Sequence, residues 1–207
     1  MGESTVRIYI GKIPPKLVIN EEGLFPPARA VEIRSCMAER KRKEKYCAWK
    51  LLQYALKDAF ALDMTKMRFE KLPNGKWIAN ECCFSLSHAG DMVVVALSKT
   101  DVGVDVEKDT DKILKLNDKI LTDRERTEFL SLKERDKKPF LWQKWTQKES
   151  IFKAYKKGGF VPRETDTHEY NAFTKEWELL GEKYYLSVAG ENVENAIWVF
   201  VDEYLGV

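Results

Sequence analysis

The sequence predicts an α+β chain of two successive units, residues 1–102 and 103–207, each running from helix into strands. Three observations predict it. Residues 28–60 contain no glycine or proline, and Ala48, Leu51, Leu52, Ala55, Leu56 and Ala59 recur there at the spacing of one buried helical face. A second helical stretch, roughly 139–157, lies beyond the midpoint. Each helix is followed by apolar runs of strand length, at 82–87, 92–97 and 102–107 in the first case and at 173–180, 184–188 and 197–201 in the second. The units meet near residues 100–104, with no internal repeat or low-complexity linker at the join.

In chain order, residues 6–10 form a short strand, and Pro14-Pro15 and Phe25-Pro26-Pro27 mark the loop before the helix at 28–60. The early part of that helix, Arg40-Lys41-Arg42-Lys43-Glu44-Lys45, is basic, a pattern that on its own describes only a solvated face. Pro73-Asn74-Gly75-Lys76 is a turn signal before Trp77-Ile78. The strand at 82–87 ends at His88-Ala89-Gly90-Asp91, and the strand at 92–97 is nearly all apolar, as one covered on both faces would be. Residues 98–101 suit a hairpin loop, returning as 102–107. There the valines alternate and place Gly103, Asp105 and Glu107 on the opposite side. Helices follow at 113–121, from Thr122 onward, and at 139–157, where Gly158-Gly159 is the stop signal. The strands at 173–180, 184–188 and 197–201 then read as a closing antiparallel meander, with Gly181 and Gly190 in its turns.

Composition narrows the function. A hydrophobic share of 44% excludes a disordered chain, and 35 basic against 33 acidic residues, net +2, exclude a whole-molecule nucleic-acid binder. The charge is uneven: 17 Lys+Arg against 12 Asp+Glu up to Val104, then 18 against 21. Four cysteines without C-x-x-C spacing and two histidines argue against a zinc site, and fit a reducing cytoplasm. Met1-Gly2-Glu3-Ser4 carries no charged-then-apolar secretion pattern, and no apolar run approaches 18 residues, so no membrane association is expected.

Two pairs could carry chemistry. Asp105 and Glu107, two apart on a strand, have Cα atoms about 7 Å apart and can share one hard cation, or can simply be a solvated strand edge. Gly103 beside them allows close approach of backbone or ligand. Glu149 and Lys153, four apart on a helix, make either a surface ion pair or the missing metal carboxylate with a phosphate-binding lysine. The second option is what phosphoryl-type transfer requires, with cations against spreading negative charge and a carboxylate near the incoming hydroxyl. Ser87-His88 does not suggest a hydrolase, because neighbours on a strand point apart and no G-x-S-x-G elbow surrounds Ser87.

At these residues the chain resembles a known family. Gly103-Val104-Asp105-Val106-Glu107 is similar to the (V/I)G(I/V)D(I/V)E motif of 4′-phosphopantetheinyl transferases, and Trp145-Thr146-Gln147-Lys148-Glu149-Ser150-Ile151-Phe152-Lys153 to their WxxKESxxK motif. Order and separation resemble the surfactin-type (Sfp-type) branch. Gly75-Lys76 resembles its upstream glycine-lysine, and Phe84-Ser85-Leu86-Ser87-His88-Ala89-Gly90 its (F/V)(N/S)(I/L)SHSG segment.

The resemblance implies a pseudo-twofold pair of similar α+β halves with coenzyme A, the co-substrate, in the cleft between them. It implies a single-chain enzyme that moves phosphopantetheine from coenzyme A to a serine of an acyl- or peptidyl-carrier protein and releases adenosine 3′,5′-bisphosphate. By motif position, Asp105, Glu107 and Glu149 would hold Mg²⁺, with Mn²⁺ as an equivalent. Glu149 would also be general base, and Lys153 would bind the diphosphate and protonate the leaving group. Glu125 stands where the family has a further functional glutamate, or is an early-helix charge favoured by the dipole. Lys50, Lys76, Ser87 and His88 would contact coenzyme A. Lys50 replaces a family arginine, and Arg29 or Arg34 could add phosphate contacts. The rival expectation is a non-catalytic coenzyme A or carrier-binding module on the same fold, against which the retained Asp105, Glu107, Glu149 and Lys153 argue.

Overall fold

A strand that is apolar on both sides needs cover on both sides, and the order of elements along the chain supplies it. The computed structural model describes residues 5–20, 26–73, 75–155 and 159–205. The elements are β1 (Arg7–Lys12), α1 (Pro27–Arg34), α2 (Glu39–Phe60), β2 (Phe69–Lys71), β3 (Trp77–Ala79), β4 (Cys83–Ala89), β5 (Met92–Ser98) and β6 (Val102–Lys108). After these come α3 (Asn117–Ile120), α4 (Asp123–Ser131), α5 (Glu134–Tyr155), β7 (Ala172–Leu179), β8 (Glu182–Gly190) and β9 (Ile197–Val201).

One sheet has the order β4-β5-β1-β9, a second the order β6-β8-β7, and β2 and β3 form a separate ribbon. The period of two sorts the side chains. Tyr9, Val93, Val95 and Leu97 pack on Leu51, Leu52 and Ala55 of α2. Their neighbours Ile8, Ile10, Val94 and Ala96 pack on Val102, Val104, Val106, Leu186 and Val188 of the second sheet. The remaining face of that sheet is covered by α5, whose Trp142 stacks on Tyr185 with ring centroids 6.3 Å apart. The two sheets also meet where β6 passes β4. Ser85 and Ser87 accept the backbone N–H groups of Val104 and Val106 at 3.0 and 3.3 Å, so hydroxyls of β4 satisfy amides that face away from β8.

Several expectations need correction. Residues 28–60 form two helices, α1 and α2, separated at 35–38. A continuous helix would hold residues 29 and 45 about 24 Å apart. The break folds α1 back, so that Arg29 donates to the Lys45 carbonyl at 3.1 Å and lies 4.9 Å over the Trp49 ring. Residues 98–101 do not close a hairpin within one sheet. Both edges of β5 are already paired, by β4 and β1, so β6 must start the second sheet. Residues 197–201 do not extend a meander: β9 pairs in parallel with β1, Arg7 opposite Ile197, with Trp198 packed against one core and Val199 against the other. The second unit therefore lends its last strand to the first sheet.

Smaller differences have local causes. Residues 111–116 are 3-10 helix ahead of the short α3. Helix α5 begins at Glu134, and Pro139 is tolerated in its second turn, where it removes a single intrahelical donor. The turn between β7 and β8 falls at Leu180 and Gly181, both with positive φ. Met1 to Ser4, Phe25, Asn74 and the predicted stop at Gly158 lie outside the described residues.

Candidate active site

Gly103 is the point from which the site is built. A Cβ placed there would stand 1.9 Å from the Ser150 carbonyl oxygen and 2.6 Å from the Ala154 nitrogen, so only glycine lets the α5 backbone lie directly on β6. That contact brings one helix face over one strand face. Trp145, Glu149 and Lys153, spaced by four, stand above Asp105 and Glu107, which share the face of Gly103. Lys153 Nζ lies 2.6 Å from Asp105 Oδ1, and Trp145 Nε1 donates to Glu107 Oε1 at 3.3 Å. From β4, Ser87 Oγ donates to the same Asp105 oxygen at 2.9 Å.

The electrostatics are those of too many carboxylates for one lysine. Asp105 is 4% exposed, and its second oxygen, Oδ2, is buried without a hydrogen-bond partner. Burial, and then the charge of Asp105, pushes Glu107 up to about 7 against the Trp145 bond and the charge of Lys153. Burial and Asp105 likewise push Glu149 above the usual carboxylate range, with Lys153 opposing. Three hard oxygen donor groups short of positive charge have the chemistry that a divalent cation of the Mg²⁺ class takes. Among the described residues, however, the donor atoms that all lie within 4.8 Å of one another are those of Glu125, Asp166 and His168 and not those of this trio.

Beside this cluster runs a cleft of about 370 Å³. Its floor and one wall come from α1, α2, β3 and β4, and the other wall from α5, with Arg29, Lys45, Lys76, His88, Glu149 and Lys153 among its lining. Lys76 Nζ also donates to the Lys153 carbonyl at 2.6 Å, tying the loop before β3 to the last turn of α5. Burial pulls His88 below its usual value against the opposing charge of Glu44, whose Oε2 is 3.4 Å from Nδ1. Such a wall can bind a small polyanion and leave Glu149 and Lys153 facing it.

The sequence reading missed Lys45 and Phe152 in this lining and left Arg29 as an alternative to Arg34 for a phosphate contact. Lys45 ends the basic run, and only the fold shows that it alone of that run reaches the cleft. Lys50 does not line it. Two residues beyond the cleft-lining Ala48, it is turned about 200° around α2; it is 1% exposed and donates to Gln53 at 3.1 Å. Arg34 does not line it either.

Glu125 stands apart from Asp105, Glu107 and Glu149. It is N3 of a capping box with Thr122, fully buried, and its oxygens are taken by Lys148 at 2.6 Å, the Thr122 amide, and the amide and hydroxyl of Thr167. Glu125, Asp166 and His168 bring donor atoms within 4.8 Å of one another, but the Glu125 oxygens are already spent on those partners. Burial raises its carboxyl, and Lys148 with the other donors outweighs this and holds it below the usual range. Lys148→Met should therefore cost about 3–5 kcal/mol in urea unfolding, by stranding a buried charge, and Glu125→Gln on top should restore part of it. The stabilisation is present above about pH 4.3 and fades as pH falls through the folded value, so the double variant should lose less stability on acidification.

Comparison with known proteins agrees with the motif resemblance. Residues 101–192 match the model of the 4′-phosphopantetheinyl transferase superfamily. The chain is 29% identical over 111 residues to the 4′-phosphopantetheinyl transferase psf-1 of Bacillus pumilus, covering 52% of this chain and 48% of that one. It is 30% identical over 95 residues to gsp of Aneurinibacillus migulanus, covering 45% and 40%. It is 24% identical over 115 residues to Sfp of Bacillus subtilis (strain 168), covering 54% and 51%. The match spans about half the length of these relatives. Among the described residues no helix is long and apolar enough to cross a membrane.

Proposed function

We propose that this chain, whose similarity is to the Sfp-type 4′-phosphopantetheinyl transferases, transfers the phosphopantetheine arm of coenzyme A to a serine hydroxyl of an acyl- or peptidyl-carrier protein. The observation that carries the proposal is the packing of α5 on Gly103, which sets Glu149 and Lys153 over Asp105 and Glu107 at the edge of a cationic cleft.

In this reading Arg29, Lys45, Lys76 and His88 bind the phosphates of coenzyme A by charge-assisted hydrogen bonds. Asp105, Glu107 and Glu149 hold Mg²⁺ or Mn²⁺, a fit supported by the unpartnered Asp105 Oδ2 and the raised Glu107 and Glu149. Once bound, the cation supplies positive charge to the diphosphate oxygens as negative charge spreads over them. Glu149 takes the proton of the carrier serine, directly or through a water, as its hydroxyl oxygen bonds to phosphorus. Lys153 Nζ holds the diphosphate and gives a proton to the departing phosphate oxygen of adenosine 3′,5′-bisphosphate as the P–O bond breaks. Glu125 then acts by fixing α4, the loop at 165–167 and α5 to one another rather than by touching substrate.

The units at 1–102 and 103–207 each give one wall to the cleft, so the reading needs one copy of the chain and neither nucleic acid nor membrane. The four free cysteines agree with a cytoplasmic setting. Incubation with coenzyme A, Mg²⁺ and a carrier protein should add the mass of one phosphopantetheine to the carrier. No intact-mass shift across a varied carrier panel would overturn the function.

A further inference from the structure

We propose that Thr146 is a positioning residue, whose bond to Ser187 fixes the seat of α5 on the second sheet and so the reach of Glu149 to the acidic pair beneath it. The inference rests on the reading of Asp105, Glu107 and Glu149 as cation ligands. Thr146 and Ser187 are fully buried and neither lines the cleft. A hydroxyl has one hydrogen to give. That of Thr146 goes to a backbone carbonyl, of Trp142 at 2.9 Å or Gln143 at 3.3 Å, so Thr146 must accept from Ser187 at 2.7 Å. Ser187 is then an acceptor toward Thr174, 2.8 Å away on β7. The three hydrogens run one way, from β7 through β8 into α5, and each is spent inside the protein.

The place of this bond gives it its effect. Trp142, Thr146, Ser150 and Ala154, spaced by four, form the row of α5 that lies on the sheet. Trp142 stacks on Tyr185, which is paired with Glu107 in the β6–β8 ladder. Thr146 bonds Ser187, which is paired with Asp105, and Ser150 and Ala154 lie on Gly103. The neighbouring row, Trp145, Glu149 and Lys153, is therefore carried to its height over the acidic pair by these three contacts. Ring stacking and close backbone approach tolerate a small slide along the strands, whereas a hydrogen bond sets both length and direction. Helix propensity alone does not ask for threonine at this position, because a β-branched side chain loses rotamer freedom in a helix and its hydroxyl back-bonds to the carbonyl four residues before. What Thr146 adds is the partner on β8, at the level of Asp105.

The test titrates Mn²⁺ alone by electron paramagnetic resonance, and follows melting by scanning fluorimetry, on wild type and single variants. Thr146→Val keeps the branched shape but sets a methyl where an oxygen stood 2.7 Å from Ser187 Oγ, a contact that carbon and oxygen widen to about 3.4 Å. The helix is pushed from β8, and Mn²⁺ binding should weaken at least about tenfold. Ser187→Ala removes the same bond from the other side, without crowding, and should also weaken Mn²⁺; it carries the test alone if Thr146→Val does not fold. Thr146→Ser, which keeps the hydroxyl, should bind Mn²⁺ as wild type does. Tyr204→Phe, which removes a hydroxyl bond to the Lys12 carbonyl on the first sheet, should lower the melting temperature and leave Mn²⁺ affinity unchanged. The inference is overturned if a folded Thr146→Val or Ser187→Ala binds Mn²⁺ normally, if Thr146→Ser binds it as weakly as Thr146→Val, if Tyr204→Phe weakens it equally, or if wild type binds none. Wild type that binds Mn²⁺, with the expected losses in the variants, but loads no carrier would refute the transferase function and uphold the role of Thr146.

Discussion

Glu149→Gln is expected to slow carrier loading by about 10²- to 10⁴-fold while leaving the metal-free melting temperature unchanged or higher. The two effects have one source. Glu149 is crowded by burial and by Asp105, and the opposing charge of Lys153 does not compensate, so its ionised form costs the folded chain stability that a neutral amide returns. The amide keeps the shape of the side chain but can take no proton from a serine. Rates by intact-mass spectrometry and melting by scanning fluorimetry check both halves. A variant within threefold of the wild-type rate would remove Glu149 from the reaction.

Gly103→Val is expected to cost more than about 3 kcal/mol in urea unfolding, at or above the upper end of ordinary overpacking. The added carbons would meet backbone on α5, at the Ser150 carbonyl and the Ala154 nitrogen, and no rotamer change relieves a clash with main chain. Helix and strand must separate, and Lys153 leaves Asp105 with them. Any folded remainder should therefore load carrier more slowly than its folded fraction predicts. Unchanged unfolding midpoint and full activity would show that α5 can lift off β6 without consequence.

Much of the site was legible because it is written in short-range periods. The alternation at 102–107 puts Gly103, Asp105 and Glu107 on one face whatever the tertiary fold, and spacing by four does the same for Trp145, Glu149 and Lys153 on a helix. What was not legible depends on which partners are still free. The sequence of 98–101 looks like a hairpin loop, but β5 already has two neighbours. The Thr122 to Glu125 spacing is a readable helix start, yet nothing local says that the Glu125 oxygens also meet Lys148 and Thr167. The division of α1 from α2 has no glycine or proline to announce it, and is decided by Arg29 finding Trp49 and the Lys45 carbonyl. Lys45 and Arg29 came to the cleft through that long-range choice.

The parallel pairing of β9 with β1 joins segments that lie about 190 residues apart in the chain. A sheet opened by residues 7–12 waits for residues 197–201 to supply its fourth strand, and for Tyr204, whose hydroxyl donates to the Lys12 carbonyl at 2.9 Å. Until then a growing chain has its helix α2 and its cationic wall on a sheet one strand short. Closure across so much sequence is entropically late. The cationic wall of the cleft thus rests on a sheet whose last strand follows, in chain order, every element that carries the acidic cluster.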